Sequence, residues 1–212
     1  SWDSIPPLLG TQKGLNLQNA FGQTALHLAL EYRVYDIAEQ LIRQNAPVHL
    51  KDHQGKTPLH LAAERGDQTS VALCVEKGAS VKIQDAAGET PLMKSIRSGY
   101  VQTASYLLKK PQDLNAANTQ GQTALHLAVY YHRPQIVEEL INKNVNLNCR
   151  DKEGYTPLMI AAYHGLEPAV ILLTDNFAAS NLKNLEGKTA LDLAREARQQ
   201  KIVEYFERKS KK

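Results

Sequence analysis

Thr24-Ala25-Leu26-His27-Leu28-Ala29 is a six-residue phrase that returns along the chain at one fixed spacing. The later copies begin at Thr57, Thr90, Thr123, Thr156 and Thr189, so that each threonine follows the previous one by 33 residues. A constant period of this length indicates an array of stacked supersecondary units, each packed on its neighbours. The repeat therefore overrides the one or two globular domains that 212 residues would otherwise suggest.

The second repeat illustrates how local chemistry defines a unit. Residues 52–55, Asp-His-Gln-Gly, have turn composition. Thr57 is suited to be an N-cap, and Pro58 is suited to the first helical position. Gly66 can end the first helix, and the apolar spacing beyond it predicts a second helix over 68–77. The pattern thus predicts two helices per repeat, joined by glycine-containing turns.

The tandem phrase T-P/A-L-H-x-A, with a glycine two places before every threonine, resembles the ankyrin repeat family over about Leu15 to Phe206. This resemblance implies an all-α solenoid of stacked helix-turn-helix units with β-turn or hairpin loops. We expect a partial repeat or cap over residues 1–14, six repeats over 15–207, and a basic tail over 208–212. Leu8-Leu9 supports the cap, because it lies in repeat phase with Leu41-Ile42.

Some repeats depart from the pattern. The third has Met93, Lys94 and Ser95 where others have His-Leu-Ala, and Pro111 must break its second helix. The first, fourth and sixth repeats lack the mid-unit glycine and carry other residues in its place, namely Arg33, His132 and Arg198. These junctions need another way to turn, and Pro134 is a candidate to help in the fourth.

Composition excludes several classes of function. The formal charge of +3 is mild and does not indicate nucleic-acid binding. Cys74 and Cys149 fall at different places in their repeats, which favours reduced thiols over a disulfide framework. The sequence shows neither a transmembrane run nor a signal peptide, so that we expect no membrane insertion. We expect a cytoplasmic protein, with the nucleus or a host-cell cytosol as alternatives.

The sequence predicts neither catalysis nor a cofactor or metal. Gly-Lys-Thr occurs at 55–57 and 187–189, but a P-loop needs a further glycine five residues upstream, where Leu50 and Leu182 stand. His27, His60 and His126 hold the same place in separate repeats. We therefore interpret each as a hydrogen bond between neighbouring turns, since metal binding needs three or four converging ligands. Nucleophile-elbow and H-E-x-x-H patterns are missing too.

The family resemblance implies that turns and first helices line a concave groove that binds a protein or peptide segment, here as a monomer. Carrying the groove positions onto this chain gives an aromatic cluster in the fourth and fifth repeats, comprising Tyr130, Tyr131, Tyr155 and Tyr163, with His164 beside it. Tyrosine is enriched in binding hot spots. Phe21 and Tyr32 form a smaller aromatic pair, and a modest basic stretch lies between the two groups, comprising Lys51, Lys56, Arg65 and Arg97.

A modification site is also predicted. Leu107 to Asn115 reads Leu-x5-Asp-Leu-Asn, which resembles the pattern that the asparaginyl hydroxylase of the hypoxia pathway recognises in ankyrin repeats. Asn115 is therefore a candidate for hydroxylation, and Asn148 is a poorer match.

Three narrower roles stay open beside a general scaffold, adaptor or inhibitor. Residues 15–19 leading into the first phrase resemble the opening of the cytoplasmic inhibitors of NF-kappa-B, although the regular period lacks that family's insertions. A bacterial effector acting on host proteins is a second alternative. A substrate-targeting module of a larger enzyme is a third, because a fold alone does not fix a function.

Overall fold

The computed structural model describes residues 14–210, which contain twelve α-helices and no β-strand. The chain divides into two compact units, residues 1–112 (unit 1) and residues 113–212 (unit 2). The helices of unit 1 are α1 (Ala25–Glu31), α2 (Tyr35–Arg43), α3 (Pro58–Arg65), α4 (Gln68–Glu76), α5 (Pro91–Ser98) and α6 (Val101–Leu108). Those of unit 2 are α7 (Ala124–Tyr130), α8 (Pro134–Asn142), α9 (Pro157–Tyr163), α10 (Glu167–Asp175), α11 (Ala190–Glu196) and α12 (Gln200–Lys209).

Each unit is a solenoid in which helices stack in two layers. In unit 1 the first helices α1, α3 and α5 pack in series, and α2, α4 and α6 pack behind them. Unit 2 repeats this arrangement with α7, α9 and α11 in front and α8, α10 and α12 behind. The first leucine of the phrase, for example Leu59 or Leu158, is buried in the first five repeats, and Leu191 of the sixth is half-buried. The predicted all-α solenoid of helix-turn-helix units is confirmed.

The turn before each first helix is held by one carboxylate or amide. In the second repeat Asp52 Oδ1 accepts hydrogen bonds from the backbone N–H groups of Gln54 and Lys56, at 2.9 and 2.8 Å. The same pair of bonds forms in the other repeats, around Asn19, Asp85, Asn118, Asp151 and Asn184. Gly55 follows with φ +73°, and a Cβ there would meet the next turn at Ala86 N, 2.8 Å away. Glycine is therefore required at this place.

The helix ends follow the predicted capping. Thr24, Thr90, Thr156 and Thr189 are N-caps whose hydroxyls accept from the backbone N–H three residues later. The second helix of repeat 2 spans Gln68–Glu76, one residue shorter than predicted, and Gly66 ends the first in the left-handed conformation. The helix before Pro111 ends at Leu108, as predicted.

The junctions without glycine turn in the same way as those with it. Arg33, His132 and Arg198 themselves adopt the left-handed conformation, with φ of 60°, 55° and 57°. The turn thus needs no substitute device, and Pro134 only begins α8. Packing of the flanking helices imposes this conformation at a cost of about 1–2 kcal/mol per non-glycine residue.

The ends of the chain differ in part from the expected boundaries. α12 continues through Lys209, so that Arg208 and Lys209 are helical and not part of a tail. Lys209 Nζ lies 2.9 Å from Asp175 Oδ1 and donates to Tyr205 Oη at 3.0 Å, which fixes this turn. Of the predicted cap, residues 1–13 lie outside the described residues, as do residues 211–212 of the predicted tail. Within 14–210, the helices are too short or too polar to cross a membrane.

Phe177 offers a test of the left-handed positions. It has φ 67° and a side chain that is 91% exposed, at the place where repeat 2 has Gly78 and repeat 4 has Asn144. We expect Phe177→Gly to raise the free energy of unfolding by about 1 kcal/mol, because it relieves backbone strain and loses little burial. Urea unfolding followed by circular dichroism measures the change.

Phe177→Ala is the matched control, because it removes the ring and keeps the Cβ that causes the strain. Its free energy of unfolding should rise by less than that of Phe177→Gly. Equal gains from alanine and glycine would show that the exposed ring, and not φ, is the unfavourable feature.

Candidate functional site

The three phrase histidines join consecutive turns. Nε2 of His27, His60 and His126 lies 3.2, 3.0 and 3.1 Å from the backbone oxygens of Lys56, Glu89 and Tyr155, one repeat further on. In each case Nδ1 accepts from the backbone N–H of the preceding threonine, so that Nε2 carries the proton. Burial lowers the pKa of all three imidazoles. The predicted hydrogen bond between turns is confirmed.

The thiols do not form a reactive site. Cys74 and Cys149 are both free cysteines. Burial raises the pKa of Cys74 to about 12, and burial also raises the pKa of Cys149. A raised pKa keeps a thiol protonated, and the thiolate is the form that reacts. Over residues 14–210, His, Cys, Asp and Glu form no group of three or more that could hold a metal ion.

The inner surface is defined here as the side of each unit formed by the turns before the threonines and by the ends of the first helices. In four repeats the residue just before the threonine is bonded to the residue seven places after it. These pairs are Gln23 with Glu31 (2.6 Å), Lys56 with Glu64 (2.8 Å), Lys188 with Glu196 (2.6 Å), and Glu89 with Arg97. A polar bridge therefore spans turn and helix in repeats 1, 2, 3 and 6.

Repeats 4 and 5 have tyrosine at three of these four positions. Tyr130 stands opposite Gln122, and Tyr163 stands opposite Tyr155. The rings of Tyr130 and Tyr131 are 5.1 Å apart between centroids, and His164 lies 5.4 Å from both Tyr130 and Tyr163. Repeats 4 and 5 thus carry a group of rings where the other four repeats carry polar bridges.

Structure adds one member to this group that the sequence did not single out. The His132 ring lies 6.3 Å from His164, so that we define the aromatic cluster as Tyr130, Tyr131, His132, Tyr163 and His164. The sequence indicated His132 only as a replacement for the mid-unit glycine, and not as part of a binding surface. Burial lowers the pKa of His164, and the neighbouring His132 lowers it further. Tyr130 and Tyr163 are 47% and 43% exposed, which leaves much of each ring available.

Tyr155 is separate from the cluster. Among residues 14–210 it takes part in none of the ring contacts, although the sequence grouped it with the other three tyrosines. Burial raises the pKa of the Tyr155 hydroxyl, and the charge of Glu186 raises it further. Its backbone oxygen accepts the bond from His126. The Tyr155 backbone therefore belongs to the junction between repeats 4 and 5, and its side chain lies near Asn184 and Glu186 of repeat 6.

The aromatic pair predicted in unit 1 is exposed but not assembled. Phe21 and Tyr32 are 69% and 66% exposed, and the ring contacts of the described residues do not join them. Two of the four cations of the predicted basic stretch are paired with carboxylates within the protein. Lys56 is paired with Glu64, and Arg97 with Glu89. Within the described part of the chain, the other two cations are not paired in this way. Lys51 donates to the backbone oxygen of Gln84, and the Nε of Arg65 is buried.

The irregular third repeat conceals a buried charge cluster. Lys94 is only 7% exposed, and its Nζ lies 2.7 Å from Asp85 Oδ2 and 2.8 Å from Glu89 Oε2. Burial alone would raise the pKa of Glu89, but hydrogen bonds and charge from Lys94 and Arg97 outweigh it and lower that pKa. Conversely, burial would lower the pKa of Lys94, and the two carboxylates raise it. The ion pairs thus keep all these groups charged.

Asn115 lies in an exposed turn, and its Oδ1 accepts from the backbone N–H of Asn146 at 2.8 Å. Asn148 makes the same bond to Ala179 N, at 2.8 Å. These amides link successive turns of unit 2. Hydroxylation of Asn115 stays a prediction.

Comparison with models of known families shows which family this sequence matches. A family model described as ankyrin repeats (3 copies) matches residues 3–85, 69–151 and 133–211. A search of curated proteins finds no match. Ankyrin repeats are general modules for protein–protein interaction. The matched segments together span nearly the whole chain, and the chain belongs to the ankyrin repeat family.

Proposed function

We propose that the chain binds a partner polypeptide along its inner surface, as a scaffold, adaptor or inhibitor, with the aromatic cluster of unit 2 as the main anchor. The observation that carries this proposal is the replacement of polar bridges by half-exposed rings in two adjacent repeats. Aromatic patches on solvent-facing surfaces usually mark interaction sites. The partner would present an extended or helical segment.

The positions of the rings support an anchor rather than a loose surface. Tyr130 and Tyr163 are the last residues of α7 and α9, two helices that pack against each other. Edge-to-face contacts with His164 restrict both rings before any partner arrives. Tyrosine pays little conformational entropy on binding, since it has two side-chain torsions. A pre-ordered ring keeps more of its contact energy as affinity.

Alanine at Tyr131 and Tyr163 tests the proposal. Each substitution should weaken partner binding by about 2 kcal/mol or more, the loss that defines a hot spot. The partner is first captured with the wild-type chain and identified by mass spectrometry. Isothermal titration calorimetry then gives its dissociation constants for the wild-type chain and for each variant. Tyr106→Ala, on α6 and outside the inner surface, is the matched control. Unchanged affinity in the double variant, with an unchanged circular dichroism spectrum, contradicts the proposal.

The identity of the captured partner also separates the narrower roles. A transcription factor would favour an NF-kappa-B-inhibitor-like regulator, and a host protein would favour a bacterial effector. A substrate of an enzyme encoded with this chain would favour a targeting module. We further propose a monomer in the cytoplasm, and the two free cysteines support a reducing compartment.

A further inference from the structure

We propose that the aromatic cluster receives a cationic side chain, arginine or lysine, from the partner segment. This inference rests on the proposed function and specifies its chemistry. Two observations carry it, namely the mutual orientation of the rings and their exposure. The cation contacts of other tyrosines in this chain support it.

The rings of the cluster face in different directions. Tyr130 and Tyr131 meet at 77°, Tyr130 and His164 at 88°, and Tyr163 and His164 at 89°. Perpendicular rings present π faces at right angles, whereas stacked rings would cover each other's faces. The face of an aromatic ring carries the negative part of its quadrupole, so that a cation within about 6 Å of the centroid is attracted. Several faces at right angles can contact one cation from different sides.

Tyrosine faces elsewhere in this chain already contact cations. Lys110 Nζ lies 4.5 Å from the centroid of Tyr106, and Lys209 Nζ lies 5.4 Å from that of Tyr205. Both tyrosines lie on second helices, away from the inner surface. A lysine of ordinary reach therefore suits the tyrosine faces of this protein, and a partner can supply one to Tyr130 and Tyr163.

A random dodecamer library displayed on phage provides the test. The library is selected on the wild-type chain and counter-selected on the Tyr130→Ala/Tyr163→Ala variant. We expect the surviving peptides to share an arginine or lysine. Neutral replacement of that residue, citrulline for arginine or norleucine for lysine, should weaken binding about two- to thirty-fold, the range of cation–π interactions. Fluorescence polarisation with the synthetic peptides measures each dissociation constant.

Variants of Tyr163 separate a cation site from a merely apolar one. Tyr163→Phe keeps a ring face and should retain most of the affinity. Tyr163→Leu keeps apolar area without a ring, and on this background the neutral replacement in the peptide should cost less than on wild type. Tyr106→Leu is the control outside the inner surface, and thermal unfolding checks that all variants fold.

The possible outcomes are distinct. Peptides that need the tyrosines but tolerate neutral replacement overturn the cation site and leave the proposed function standing. Equal costs of neutral replacement in the wild-type and Tyr163→Leu proteins do the same. A library without any peptide that depends on Tyr130 and Tyr163 overturns both proposals.

Discussion

Replacing Lys94 with methionine should lower the free energy of unfolding by about 3–5 kcal/mol, the usual cost of removing one partner from a buried ion pair. Asp85 and Glu89 would keep their place in the core while losing the ammonium that lies 2.7 and 2.8 Å from them. The methionine fills a similar volume, so that the loss reflects charge more than a cavity. Urea unfolding followed by circular dichroism measures the change.

Repeat 4 provides the rescue variant. At the places of Asp85, Glu89 and Lys94 it has Asn118, Gln122 and Leu127, each 33 residues further on. The triple variant Asp85→Asn/Glu89→Gln/Lys94→Leu should therefore restore stability to within about 1 kcal/mol of wild type or exceed it, because apolar replacement of a buried ion cluster is often neutral or stabilising. A Lys94→Met variant as stable as wild type would contradict a structural role for the cluster.

Acid should weaken the junction between repeats 2 and 3 through His60. Burial lowers the pKa of His60 from 6.5 to about 4 in the folded chain. The charge of Asp85 opposes this shift, and that of Lys94 adds to it. Between these two values the unfolded chain binds more protons, so that the contribution is complete above pH 6.5 and is lost as the pH falls towards 4. The full loss corresponds to about 3 kcal/mol.

His60→Met isolates this effect, since Met93 and Met159 occupy the same place in repeats 3 and 5. At pH 7.5 the variant should be less stable by about 1–3 kcal/mol, because the backbone oxygen of Glu89 loses its donor. The difference in free energy of unfolding between wild type and variant should narrow by about 2 kcal/mol by pH 5. Only the wild type loses stability with acid at this position, because its His60 binds a proton more readily in the unfolded chain. Stability curves that run parallel from pH 7.5 to 5 would show that His60 does not titrate in this range.

Much of the fold was predictable because it is local. Threonine caps, the proline at the start of a helix, and the histidine bond between turns repeat with the period, so that each can be derived once and transferred. The Lys94 cluster was not predicted, although its members lie within ten residues of one another. Position 94 is buried only because α5 packs against α3, and sequence alone identified Lys94 merely as an irregular residue.

The candidate site was predictable in its location and less so in its membership. Repeat phase placed Tyr130, Tyr131 and Tyr163 on one surface, but it also placed Tyr155 there. Ring contact depends on which neighbour each side chain turns towards, and His132 entered the cluster through a left-handed backbone that the sequence did not predict. Likewise the charges of Arg97 and Lys56 are paired with glutamates eight residues away, which the sequence did not predict.

By itself the sequence determined the repeat, its period, the two helices of each unit and the family, since these follow from local propensities and capping. Tertiary structure alone decided which side chains meet across repeats. Those contacts depend on the packing of helices that are 33 residues apart in the chain, and packing determines burial, charge state and ring orientation. Hence the phrase that begins at Thr24 specifies the scaffold, and the aromatic cluster exists only in the folded unit 2.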